Sequence, residues 1–178
     1  MNGVNRIYEY KGIFPRIHAS VLLAPGSIII GDVEIGENSS VWCNTVIRGD
    51  VNYIRIGQRV NIQDLSMLHV TRNTHPLRIG NDVTIAHSVV LHGCDLQDYS
   101  FIGMGAIIMD GAKIGKFSFV AAGSLVPPGM EVADGMLAMG RPARIVRPIN
   151  EKEREMIIQS PVNYQKYATG YQGSGFAE

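Results

Sequence analysis

Residues 102–126 read IGMGAIIMDGAKIGKFSFVAAGSLV, and every sixth residue of that stretch is a β-branched aliphatic: Ile102, Ile108, Ile114, Val120 and Val126. Toward the N-terminus the same ladder returns as Ile79, Ile85, Leu91, then as Ile56, Ile62, Leu68, and then as Ile29, Ile35, Val41, Ile47. All fifteen positions are Ile, Leu or Val. Aliphatics fill only about a fifth to a quarter of an ordinary domain, so chance does not account for the pattern.

A step of six is neither the 3.6 of a helix nor the alternation of a strand. It marks a parallel β-helix, in which each hexad is one short strand plus a corner. The repeated aliphatic points inward and stacks on its equivalent in the next coil, about 4.8 Å away. Glycine follows many rungs, at Gly36, Gly57, Gly80, Gly103 and Gly115. The reading is that glycine and small residues turn the corners, where backbone angles are unusual. A β-sandwich, the alternative, needs longer alternating strands and hairpin turns. The period alone leaves the hand of the coil open.

The repeat closes at Gly140-Arg141-Pro142-Ala143-Arg144. Asn150-Glu151-Lys152-Glu153 then reads as a helix start, with Asn150 as N-cap and Glu153 as its reciprocal partner. The expectation is a helix over 151–160, a break at Pro161, an optional resumption over 162–168, and a loose Gly-rich tail, Gly170–Glu178. The chain thus divides into a β-helix, 1–148, and a C-terminal helix with its tail, 149–178. With 178 residues, 46% of them hydrophobic, it can bury one core. Sixteen basic and sixteen acidic residues cancel, which argues against nucleic acid as a partner. No apolar run suits a bilayer and no signal-peptide core is evident, so no membrane association is expected and the expected compartment is the cytoplasm. Cys43 and Cys94 lack C-x-x-C spacing and are expected as reduced thiols.

Three of five histidines fall in the repeat. His69 follows Leu68, and His92 follows Leu91. Their separation is three hexads plus five residues, and the extra residues match the polar excursion Thr71-Arg72-Asn73-Thr74-His75-Pro76. His69 and His92 therefore share one face, one rung apart, close enough to share a metal. His87 lies one hexad earlier, on a neighbouring face. A threefold assembly of prisms brings one subunit's His87 against the next subunit's His69 and His92, a heterologous contact that closes after three copies. The alternative is that His87 is only an interface side chain. Three imidazoles plus water form a tetrahedral zinc site, and imidazole also suits iron, cobalt and nickel. Cys94 is a further, softer candidate ligand. Arg48 and Asp50 count onto the His69/His92 face, and Gln63 and Asp64 onto the His87 face. An Arg48–Asp64 ion pair across the interface is expected, with intrachain Arg48–Asp50 pairing as the alternative.

Together these residues resemble the gamma-class carbonic anhydrase family: RGD at 48–50, NIQD at 61–64, His69, AHS at 86–88, LHGC at 91–94, PPG at 127–129 and GRPAR at 140–144. The resemblance spans about Ile13 to Asn150. It implies an all-β, left-handed parallel β-helix with three hexads per coil and a C-terminal α-helix. It also implies a homotrimer in which His69 and His92 of one subunit and His87 of its neighbour hold zinc. Arg48, Asp50, Gln63 and Asp64 shape the site and interface. The implied reaction is hydration of carbon dioxide to bicarbonate. Gln63 would orient hydroxide or substrate, with Asp50 and Arg48 holding the geometry. Two departures stand out. Val51 occupies the place of a glutamate in active members, and the 71–76 loop has no carboxylate where they carry a proton-shuttle glutamate. His75 in that loop is read as an exposed residue rather than a proton relay. Slow turnover, accelerated by added imidazole, is therefore expected. The competing readings are a metal-dependent acyl-CoA thioesterase, a hexapeptide acyltransferase with one histidine as general base, and a non-catalytic trimeric assembly protein.

Overall fold

A computed structural model describes residues 6–172. The chain forms an all-β, left-handed parallel β-helix of about seven turns that carries one C-terminal helix. Short strands are distributed over three faces. The first face stacks the leading halves of Ile28–Ile35 and Val46–Ile56, then Met67–His69, Val90–His92, Ile107–Ile108 and Leu125–Val126. The second stacks the trailing halves of the same two long strands with Leu77–Ile79, Asp95–Leu96, Lys113–Ile114 and Glu131–Val132. The third runs from Leu22–Leu23 to Met136–Gly140, where antiparallel Ala143–Pro148 closes the edge.

Each face contributes an inward column. On the first face, Ile29, Ile47, Leu68, Leu91, Ile108 and Val126 are all in register and fully buried. Like side chains stacked at coil spacing leave no room for water, which is why a six-residue aliphatic period is enough to specify the interior.

The glycines divide into two groups: Gly26, Gly105, Gly111, Gly123, Gly129 and Gly135 turn corners in the left-handed region, as expected, whereas those that follow the rungs do not. Corners are also turned in the left-handed region by residues as large as Arg59, Leu65, Tyr99 and Phe117. The glycines that follow the rungs instead permit close coil-to-coil approach. A Cβ on Gly57 would lie 2.6 Å from the Gly80 carbonyl oxygen, and one on Gly103 would lie 2.5 Å from the Ala122 amide nitrogen. Their role is steric rather than conformational.

The outward faces differ in chemistry. On the second face Glu34, Arg55, Arg78, Asp95, Lys113 and Glu131 stand in register, and Arg55–Glu34, Arg78–Asp95 and Lys113–Glu131 pair along it. On the first face the outward column is Ile28, Val46, Met67, Val90, Ile107 and Leu125, apolar throughout. One face is suited to water and the other to contact with protein.

The C-terminal helix, Glu151–Gln172, starts on the capping box: Asn150 Oδ1 accepts from the Glu153 amide at 2.9 Å, and Glu153 Oε2 accepts from the Asn150 amide at 2.8 Å. The expected break at Pro161 does not occur. Proline removes one hydrogen bond to the Ile157 carbonyl and strains the turn. However, Ile157, Pro161 and Ala168 are buried and Tyr164 is half-buried, a helical stripe that spans the proline. Beyond it, Trp42 meets Tyr164 edge-on at 5.5 Å, and Thr84 Oγ1 bonds Ser160 Oγ at 2.9 Å just before it. Docking on both sides outweighs the local cost. Of the expected loose tail, Gly170–Gln172 belong to the helix, and 173–178 lie outside the described residues. No described helix is long and apolar enough to cross a membrane.

Candidate metal centre

His69 and His92 are direct register partners on adjacent strands of the first face. Their rings lie 5.1 Å apart, and His69 Nδ1 faces His92 Nε2 at 3.1 Å. Each outer nitrogen has a carboxylate. His69 Nε2 meets Asp50 Oδ1 at 2.9 Å, and His92 Nδ1 meets Asp110 Oδ1 at 2.7 Å. The four side chains form one chain of contacts, Asp50–His69–His92–Asp110. With both outer nitrogens donating to carboxylates, two lone pairs face one another across the gap. Only a shared cation, a proton or a metal ion, satisfies both.

The spacing fits a metal. Zinc–nitrogen bonds of about 2.0–2.1 Å place two tetrahedral ligands about 3.3 Å apart. The outer carboxylates match the partners that fix tautomer and ring orientation in such sites. Burial alone raises the Asp50 carboxyl, but hydrogen bonds from His69 and Arg48 overcome this and hold it below the usual carboxylate range. Asp110 behaves alike: burial raises it, but bonds from His92 and the Thr71 hydroxyl outweigh this and hold it below the usual range. Both carboxylates are thus ionised at neutral pH.

His87 stands at the corner between the third and first faces, its side chain 45% exposed, with Nδ1 at 2.8 Å from Asp64 Oδ2. Asp64 Oδ1 also accepts from the Cys43 amide at 3.1 Å, which fixes the carboxylate. Among the described residues no group of three or more His, Cys, Asp or Glu in one chain could hold a metal ion. His87 is not brought to the other two within one chain. Gln63 is buried, and its Nε2 donates to Asn61 Oδ1 at 3.0 Å. Asn61 in turn donates to Thr84 Oγ1 at 2.9 Å. This buried chain fixes the amide beside His87.

Within the chain Arg48 pairs with Asp50 rather than standing free, the alternative of the two sequence readings. Cys94 is excluded as a ligand: it packs in the hydrophobic core, and burial pushes its thiol well above the ordinary range. His75 is half-buried rather than exposed. It leans onto a shelf left by two glycines. A Cβ on Gly93 would lie 2.6 Å from His75 Cβ, and one on Gly111 would lie 3.2 Å from its Nε2. Asp110 was not singled out in the sequence, although a signal exists: the coil register pairs Leu91 with Ile108, which brings Asp110 to within one residue of the level of His92 on the next coil.

The family described as bacterial transferase hexapeptide (six repeats) matches residues 14–49. The chain is 52% identical over 151 residues to a carbonic anhydrase of Geobacillus kaustophilus, covering 84% of this chain and 82% of that one. The chain belongs to the gamma carbonic anhydrase family. Within that family, names diverge. Protein YrdA of Escherichia coli is 44% identical over 172 residues, covering 93% of this chain and 94% of its own. A solved structure of a hexapeptide transferase family protein from Anaplasma phagocytophilum superposes with a TM-score of 0.90 at 41% identity, covering 93% and 98% of the two chains. Membership in the gamma carbonic anhydrase family therefore accounts for the fold, and leaves the reaction to be argued from the site.

Proposed function

We propose that this protein is a metal-dependent, gamma-type carbonic anhydrase that works as a homotrimer and hydrates carbon dioxide to bicarbonate. The observation that carries the reading is the imidazole pair at 3.1 Å with a carboxylate behind each ring. His69 and His92 supply two ligands, and His87 of the partner subunit supplies the third. The apolar outward column from Ile28 to Leu125 favours the first face as the contact that brings His87 across, whereas the charged second face stays in water. The remaining N–H groups of Arg48 reach Asp64 of the partner subunit and complete the interface.

Zinc is the best match to three imidazoles, with iron or cobalt as alternatives. When bound, such an ion acts as a Lewis acid and brings the pKa of a water to about 7. Asp50 keeps His69 oriented, and Arg48 anchors Asp50. Gln63, held by Asn61, presents its amide carbonyl to orient the attacking oxygen or the substrate. No carboxylate stands in the 71–76 loop, so the proton leaves slowly. The test is metal content of anaerobically purified protein followed by carbon dioxide hydration with and without imidazole. About one metal ion per chain and a slow rate that rises with imidazole are expected. A metal-free protein, or no hydration after metal loading, overturns the reading.

A second reading has one observation in its favour. A groove of about 620 Å³ runs between the helix and the third face, lined by Phe101, Phe119, Met104 and Tyr164 and ending at His87 and Gln63. Carbon dioxide does not need such a space, whereas an acyl thioester does. Hydrolysis of acyl-CoA esters by loaded but not metal-stripped protein would favour that activity.

A further inference from the structure

We infer that Asp110 is the positioning residue for His92, and that Thr71 couples this carboxylate to the 71–76 loop; the inference rests on the metal-site reading above. Asp110 lies outside every motif of the family resemblance, yet it makes the shortest hydrogen bond to either paired imidazole among those with resolved normal lengths, 2.7 Å from Oδ1 to His92 Nδ1. Its second oxygen accepts the Thr71 hydroxyl at 2.9 Å. Thr71 is itself fixed. Its carbonyl accepts from Asn52 Nδ2 at 3.0 Å, and its amide donates to the His75 carbonyl at 3.0 Å. With both oxygens engaged, the carboxylate cannot turn without losing a bond.

The consequence for His92 is specific. A carboxylate at Nδ1 selects the tautomer with its proton there and leaves the Nε2 lone pair aimed at the gap shared with His69. Asp50 does the same for His69 from the opposite end, with Arg48 in the place that Thr71 occupies here. The two clamps differ in what they report to. Asp50 is tied to an arginine on its own strand, whereas Asp110 is tied to the loop. Displacing the loop therefore loosens His92 but not His69.

The experiment measures zinc and cobalt affinity by chelator competition, together with the visible spectrum of the cobalt-loaded protein, in the full-length chain. Asp110→Ala is expected to weaken metal binding by about 10- to 100-fold and to alter the cobalt spectrum. Asp110→Asn, which keeps an oxygen acceptor but loses the charge, is expected to fall between Ala and wild type. Thr71→Val, close in volume, is expected to give a smaller loss of the same sign. Asp95→Asn, on the charged second face, serves as the control and is expected to match wild type. Oligomeric state and melting temperature are read for each variant. If Asp110→Ala fails to assemble, the Asn and Val variants decide. Wild-type affinity and spectrum in both overturn the role of Asp110. A wild-type protein that binds neither metal overturns the metal-site reading, and this inference with it.

Discussion

Two inactive variants should restore each other. His69 and His92 sit on one chain in direct register, while His87 stands on a different corner, and in the proposed trimer it would join them across a subunit contact. A His69→Ala chain keeps its His87, and a His87→Ala chain keeps its histidine pair. Each homotrimer alone has no intact site. In trimers formed at random from equal amounts, a given contact is intact when the pair comes from one variant and the third ligand from the other. That arrangement occurs at about one quarter of contacts, so metal content should recover to about one quarter of wild type. The geometry also supplies a control. His69→Ala mixed with His92→Ala should recover nothing, because both ligands must come from the same chain. The variants are refolded together, mixed trimers are verified by native mass spectrometry, and metal is counted by elemental analysis. No recovery in the first mixture, or equal recovery in both, would refute a site divided between chains in this way.

Three further outcomes follow from the packing. Leu91 is fully buried between Leu68 and Ile108, so Leu91→Ala should cost about 2–5 kcal/mol, read as a lower urea midpoint at fixed protein concentration. Met67 stands 47% exposed in the apolar outward column, and Met67→Glu should shift the species in analytical ultracentrifugation toward monomer. An unchanged trimer would show that this face is not the contact. Cys94 lies in the core with its thiol pushed up by burial, whereas Cys43 is only half-buried. A thiol reagent should therefore modify at most one cysteine per native chain and both after denaturation; two fast-reacting thiols would contradict the buried position.

Much of the architecture was readable because a β-helix is quasi-one-dimensional. Each coil meets only its neighbours, so counting by sixes along the chain also counts positions in space. That is why Leu68 and Leu91 could be stacked, and His69 placed against His92, before any coordinates. The count was less informative wherever spacing alone was not the deciding quantity. By sequence, glycine after a rung reads as a corner residue. Its actual constraint is a carbonyl or amide in the next coil, and that contact has no local signature. Pro161 reads locally as a stop, because helix propensity carries no information about Trp42, which is more than a hundred residues away in sequence and holds the far side of the helix in place.

The sequence by itself determined the period, the interior columns, the excursion at 71–76 and the face on which the histidine pair stands, since all of these follow from register along one chain. Tertiary structure decided which nitrogen meets which carboxylate, that Asp110 and Thr71 back His92, that His75 rests on a glycine shelf, and that Cys94 turns inward. Those outcomes depend on side-chain direction and on contacts between coils. A repeating pattern specifies which residues become neighbours, but the atoms by which they meet are set only when the coils close on one another.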